Sequence, residues 1–420
     1  MHQKVTLDNG LRVITTTMPQ VRSVSISIFI GVGSRYETAP QGGISHFIEH
    51  LLFKGTARRP TSREISEAIE GIGGIVNAGT DKELTVYWCK VASPHFSAAL
   101  DVLVDMLFNS KFDPVEMERE RQVVIEEINQ SKDSPHQQVN TLIDELLWPE
   151  HPLGRDTAGS KESMSALTRD MVLDYLHGQY LPADTVVAIG GNIEPPEAEA
   201  AIRQAMGQWS NRQPLPEYLH YQGQLNPRLK IEKRDIEQSH LCLALPGLSL
   251  VHPRRFTLDL LNVILGEGMS SRLFIEVRDK LGLAYAVHSY ADHFLDTGSV
   301  IVYAGVDPRK LDQAVRAILE QLKKLEQPVP ANELTKAKEM AKGRLLLRME
   351  DSHNVASWTG GQEVLAGRIL TIDDVIARID AITAEEIAGV AREVFISNQL
   401  RLAVVGPVTD DGHLEKLLYF

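Results

Sequence analysis

The chain repeats a pattern at a spacing of 215 residues, and that repeat constrains its fold more than any other feature. Leu167-Thr168-Arg169-Asp170-Met171-Val172 precedes Tyr180-Leu181 and the apolar run Val186-Val187-Ala188-Ile189-Gly190-Gly191. In the second half, Ile382-Thr383-Ala384-Glu385-Glu386-Ile387 precedes Phe395-Ile396 and the run Arg401-Leu402-Ala403-Val404-Val405-Gly406. Each copy reads as a capped helix, a short linker and an apolar strand ending in glycine, with Thr168 and Thr383 as the caps. One copy per half predicts an α+β fold of two homologous domains, each a mostly antiparallel sheet covered by helices. The 420 residues, 43% of them hydrophobic, suffice for two full cores. The expected domains are residues 1–215 and 228–420, joined through Trp209-Ser210-Asn211-Arg212-Gln213-Pro214-Leu215-Pro216-Glu217 and the polar stretch to Pro227.

The first half holds a motif that the second lacks. His46, Glu49 and His50 spell H-x-x-E-H, the inverted form of a zinc-peptidase motif. Helix positions four apart share a face, so both imidazoles could reach one metal ion, with Glu49 beside them. Two solvated surface histidines are the alternative. Phe47, Ile48, Leu51, Leu52 and Phe53 argue against it, because they make the helix apolar and buried. Buried imidazoles beside a carboxylate need partners.

A third donor is sought in the run from Asp113 to Ile128. Asp113 reads as an N-cap, Pro114 as the first helical residue and Glu116 as the reciprocal cap. Glu120 and Glu127 lie two turns apart on one face, and Val123 and Val124 between them mark that face as inward. Inward carboxylates need a neutralising cation. A solvated acidic helix, with Glu116 set against Glu120 or Arg121, fits the same residues equally well. Periodicity leaves both Glu126 and Glu127 open as the ligand.

Together the two segments resemble the pitrilysin-type inverzincins, the metallopeptidase family of the mitochondrial processing peptidase and its short bacterial relatives. By matched position, the resemblance implies that His46, His50 and Glu127 bind one Zn2+ per chain. Glu49 would be the general base acting on water at the zinc, and Glu120 a carboxylate that orients a histidine ligand. It selects Glu127 over Glu126. It covers essentially the whole chain, from Asn9-Gly10-Leu11-Arg12-Val13 through Gly31-Val32-Gly33-Ser34-Arg35-Tyr36-Glu37 onward. Asn77 and Ala78 would lie on an edge strand that pairs with an extended peptide. Gly79 stands where the family often has an aromatic residue, so side-chain preference near the cleaved bond would differ.

In the second half, Gly266-Glu267-Gly268-Met269-Ser270-Ser271 lacks the spacing of a phosphate loop. The resemblance gives Arg278 a substrate carbonyl and Tyr285 a hydrogen bond to substrate or oxyanion. The residues alone suggest a surface arginine and a core tyrosine.

Net charge is −13 and no basic tract is present, which argues against nucleic acid. No apolar run approaches a membrane span, and no signal peptide is visible. Cys89 and Cys242, one in each half, read as core thiols of a reducing, cytoplasmic compartment. Larger family members fuse four such domains into a chamber, so two domains imply a homodimer acting on peptide substrates. The expected activity is that of a zinc endopeptidase. The alternatives are a non-catalytic or hetero-oligomeric partner subunit and a maturation protease dedicated to one peptide precursor.

Overall fold

The computed structural model describes residues 2–210, 213–223, 227–408 and 412–420. Part of the expected junction, residues 211–212 and 224–226, lies outside the described residues.

The first half runs β1 (His2–Thr6), β2 (Arg12–Thr17), β3 (Ser23–Ile30), α1 (Ile44–Leu52), α2 (Ser62–Glu70), β4 (Ile75–Thr80), β5 (Thr85–Ala92), α3 (Phe96–Asn109), α4 (Pro114–Asp133), α5 (Pro135–Leu147), α6 (Lys161–Ala166), α7 (Arg169–Gln179), β6 (Thr185–Gly191) and α8 (Pro195–Met206). The second runs β7 (Leu229–Lys233), β8 (Ser239–Pro246), α9 (Arg255–Gly266), a π-helical turn (Phe274–Lys280), β9 (Ala284–His293), β10 (Gly298–Val306), α10 (Leu311–Lys324), α11 (Ala331–Arg348), α12 (Ser352–Ala366), α13 (Ile372–Ala381), α14 (Ala384–Val394), β11 (Arg401–Gly406) and α15 (His413–Leu417).

The repeat emerges as topology. One sheet has the order β1-β2-β6-β3-β5-β4, the other β7-β11-β8-β10-β9. Without β1 the two orders correspond strand for strand. In each, the strand after the repeated helix pairs parallel with the first strand (β2 with β6, β7 with β11) and antiparallel with the next. The caps are as read: Thr168 Oγ1 accepts the Met171 N–H at 3.2 Å and Thr383 Oγ1 that of Glu386 at 3.2 Å. Both repeated strands, β6 and β11, are buried along their whole length.

A strand buried on both faces needs a second layer. Here the layer comes from the other half of the chain. α12 lies on β3 and β6 of the first sheet, and α5 lies on β8 and β11 of the second. Small residues allow the close approach: Ser352 Oγ sits 3.0 Å from the hydroxyls of both Ser23 and Ser25. A Cβ added at Gly360 would lie 2.3 Å from the Phe29 ring. Trp88 stacks on His353 with ring centroids 3.9 Å apart. Across the second sheet, Val139, Ile143 and Leu146 of α5 pack with Cys242, Ala244, Ala403 and Val405. The compact units are therefore discontinuous: residues 1–129, 156–219 and 346–371 form one, and 130–155, 220–345 and 372–420 the other. The contiguous stretches 1–215 and 228–420 read from the sequence differ from these units, because each unit takes a segment from the other half, 346–371 in the first and 130–155 in the second.

Candidate metal centre

The centre belongs to the first unit and is built on α1. Gly43 precedes the helix at φ 90°, a backbone conformation that glycine adopts without strain, and a Cβ there would come within 2.4 Å of the Ala158 carbonyl oxygen. Glu37 supplies the cap. Its buried carboxylate accepts the N–H groups of Gly43 at 2.8 Å and Ser45 at 2.9 Å. An anion there also opposes the positive end of the helix dipole. Phe47, Ile48, Leu51 and Leu52 are buried and fix the rotation of α1. That rotation places the His46 and His50 rings one turn apart, with their Nε2 atoms 3.2 Å from each other.

α4 brings the third donor. Asp113 Oδ1 accepts the N–H groups of Val115 and Glu116 at 2.9 and 3.2 Å, as an N-cap does. Glu116 pairs with Arg119 at 2.5 Å. Arg121 donates to the carbonyls of Met164 and Leu167 and lies 5.5 Å from the centroid of Phe47, which ties α4 to α1. The inward stripe is Met117, Glu120, Val124 and Ile128, at helical spacing. Val123, read from sequence as inward, is 44% exposed, because it lies about 100° round the helix from Val124. Glu127 stands beside the stripe, its Oε2 3.9 Å from His46 Nε2 and 3.6 Å from His50 Nε2.

These three donor atoms all lie within 4.8 Å of one another, and no other such group exists among the described residues. Tetrahedral zinc with nitrogen ligands has donor–donor edges of about 3.3 Å. The two nitrogens already stand at that edge, and the carboxylate lies a few tenths of an ångström beyond. The proton inventory also fits. His50 Nδ1 is 2.7 Å from Glu120 Oε1, and a proton held there leaves Nε2 free to bind metal. His46 Nδ1 is buried and has no partner among the described residues.

At His46 the electrostatics agree with this inventory. Burial, then the charge of His50, pushes His46 down to about 4, so it stands neutral as a ligand must. Burial also lowers His50, but the hydrogen bond to Glu120 and the charge of Glu127 outweigh it and raise its value. Burial raises Glu120, and hydrogen bonds from His50 and Lys54 prevail and hold it below the usual carboxylate range. Lys54 Nζ lies 2.6 Å from Glu120 Oε2. Burial raises Glu49, against hydrogen bonds from Thr80. The Thr80 hydroxyl donates to Glu49 Oε2 at 2.6 Å.

Asn77 and Ala78 lie on β4, which forms one edge of its sheet. The Ala78 N–H is held by Asn77 Oδ1 at 2.8 Å, so it is not engaged with β5. In the second unit, the Arg278 guanidinium sits 4.5 Å from the Phe274 ring centroid and 4.7 Å from that of Tyr285. Tyr285 is 78% exposed, not the core tyrosine its sequence context suggests. Both line an open cleft of about 500 Å³ with Gln238 and Lys310.

Glu37, Lys54, Thr80 and Arg121 carry roles that the sequence does not announce. Lys54 had a signal, standing one turn beyond His50. The Thr80 contact joins a strand to a helix across 31 residues, and no periodicity marks it. No helix among the described residues is long and apolar enough to cross a membrane.

A two-sheet α+β fold with a His/His/Glu centre on its first half defines a class of metallopeptidase, and the comparisons agree. The profile of the insulinase family, peptidase family M16, matches residues 12–161, and that of the M16 inactive domain matches residues 166–341. The zinc protease YmxG of Bacillus subtilis is 38% identical, over 97% of this chain and 98% of its own length. A zinc protease of Streptomyces coelicolor is 35% identical, over 97% and 90%. Among solved structures, a protease from Helicobacter pylori superposes with a TM-score of 0.89 at 24% identity, over 97% of this chain and 99% of that one. The chain belongs to the M16, or pitrilysin, family of peptidases. The naming of its relatives supports a zinc-dependent protease role.

Proposed function

We propose that the chain is a zinc endopeptidase that cleaves short or unfolded peptides inside a chamber formed by two copies. The convergence of His46 Nε2, His50 Nε2 and Glu127 Oε2 on one point carries the reading. When bound there, zinc would polarise water and the peptide carbonyl. Glu49 takes the proton of the attacking water and passes it to the departing amine. Glu120 and Lys54 hold His50 in the tautomer that leaves Nε2 free. An extended peptide adds to the outer edge of β4 at Asn77 and Ala78, which aligns its backbone. Tyr285 and Arg278 of a second copy supply donors to the substrate carbonyl and the developing oxyanion. The free, buried thiols of Cys89 and Cys242 suit the cytoplasm.

Mixing two inactive variants tests the shared chamber. Glu49→Gln and Tyr285→Phe are each expected to be nearly inactive on a quenched, unfolded peptide. Mixed dimers should regain cleavage, because one of their two sites is intact. No recovery after confirmed subunit exchange would place both residues on one chain's site, or leave the chain a non-catalytic partner.

A further inference from the structure

We propose that Thr80 is a positioning residue that ties the peptide-pairing strand to the base Glu49; this rests on the peptidase reading above. Two observations carry it. The Thr80 hydroxyl donates to Glu49 Oε2 at 2.6 Å. Thr80 is also the last residue of β4, the edge strand that carries Asn77 and Ala78.

Strand alternation explains why a threonine stands there. Successive residues of a strand direct their backbone groups to opposite sides. The Ala78 N–H faces away from β5, since Asn77 Oδ1 holds it. Thr80, two residues on, turns its N–H the same way, and its hydroxyl meets Glu49. Thr80 thus spends its hydroxyl on the base at the end of β4, two residues beyond Ala78. A peptide added to the edge of that strand runs toward the base. The hydroxyl occupies one carboxylate oxygen, Oε2, and leaves Oε1 to receive a proton. A carboxylate held at one oxygen by a short hydrogen bond keeps one rotamer instead of several. Misplacement of a reacting group by about 1 Å can cost about 100-fold in rate.

The substitution Thr80→Val keeps the shape and removes the donor, and Thr80→Ser keeps the donor. Thr80→Val is expected to lower kcat by about 10- to 100-fold. KM and bound zinc should stay at wild-type values, and Thr80→Ser should recover most of the rate. An unchanged kcat in Thr80→Val overturns the proposal. So does a loss of zinc or melting temperature that Thr80→Ser shares, because that marks a purely structural role. Crystal structures of the zinc-free variants give a reading independent of activity. The Glu49 carboxylate should leave its position in Thr80→Val and keep it in Thr80→Ser; an unmoved carboxylate also overturns the proposal. If the carboxylate moves as expected but the wild type cleaves no peptide, positioning stands and the peptidase reading fails.

Discussion

Helices α1 and α9 follow corresponding strands, β3 and β8, in two sheets of the same order, yet among the described residues only α1 contributes to a group that could hold a metal ion. The difference extends to the helices that cross near them. At the places on α4 where Glu120 and Glu127 stand, counted from the helix start, α11 has Ala337 and Arg344. Arg344 pairs with Glu267 at 2.5 Å, and Glu267 also accepts from Asn262 of α9 at 2.9 Å. Asn262 in turn accepts from Ser289 at 2.6 Å. The second half thus closes the same helix–helix corner with a neutral amide and an ion pair, where the first leaves two imidazoles and a carboxylate facing one point. A shared scaffold fixes where a site can be. The side chains at a few of its positions decide whether charge is balanced within the protein or needs a cation.

Substitution at matched positions should break the symmetry most. Glu127→Ala removes a donor and is expected to abolish both zinc retention and cleavage. Arg344→Ala cuts a half-exposed ion pair worth about 1 kcal/mol or less and should leave both intact. Elemental analysis of the two purified variants checks this. Glu120→Gln keeps the shape but weakens the hold on His50, so zinc affinity should fall about 10- to 100-fold in a chelator competition. The exchanged helices give a further contrast. Gly360→Val on α12 forces a branched side chain against Phe29 and Ala188 and is expected to cost about 1–3 kcal/mol, read as a fall in melting temperature.

The smallest effect should come from the second unit. His240 Nδ1 lies 2.8 Å from the Tyr303 hydroxyl, and the His136 and His288 rings flank Tyr303 at 4.5 and 5.1 Å. Burial, then the charge of His136, lowers both His240 and His288. A histidine lowered in the folded state favours folding in its neutral form. Its contribution is present above the unfolded value of about 6.5 and is lost as pH falls below it. Denaturant midpoints should therefore drop between pH 7 and 5, and His240→Gln should flatten that drop.

What the sequence makes legible is local. The caps at Thr168 and Thr383 and the apolar runs after them are short-range patterns, and they are enough to find the repeat. His46 and His50 are legible because a helix turn brings them together. The choice of Glu127 over Glu126 needs the family resemblance, and the Val123 face is misread because a broad inward stripe blurs which residue is outermost. The exchange of α5 and α12 is not legible, since an amphipathic helix declares that it needs a sheet but not which one. Thr80 is hidden for a related reason: its partner is brought close only by the packing of α1 against β4.

The most direct test counts zinc and cleavage together in the wild type, His50→Ala and Glu49→Gln. The account predicts about one zinc per chain in the wild type and in Glu49→Gln, almost none in His50→Ala, and cleavage of an unfolded peptide by the wild type alone. Zinc retained by His50→Ala, or cleavage by Glu49→Gln at the wild-type rate, would contradict it.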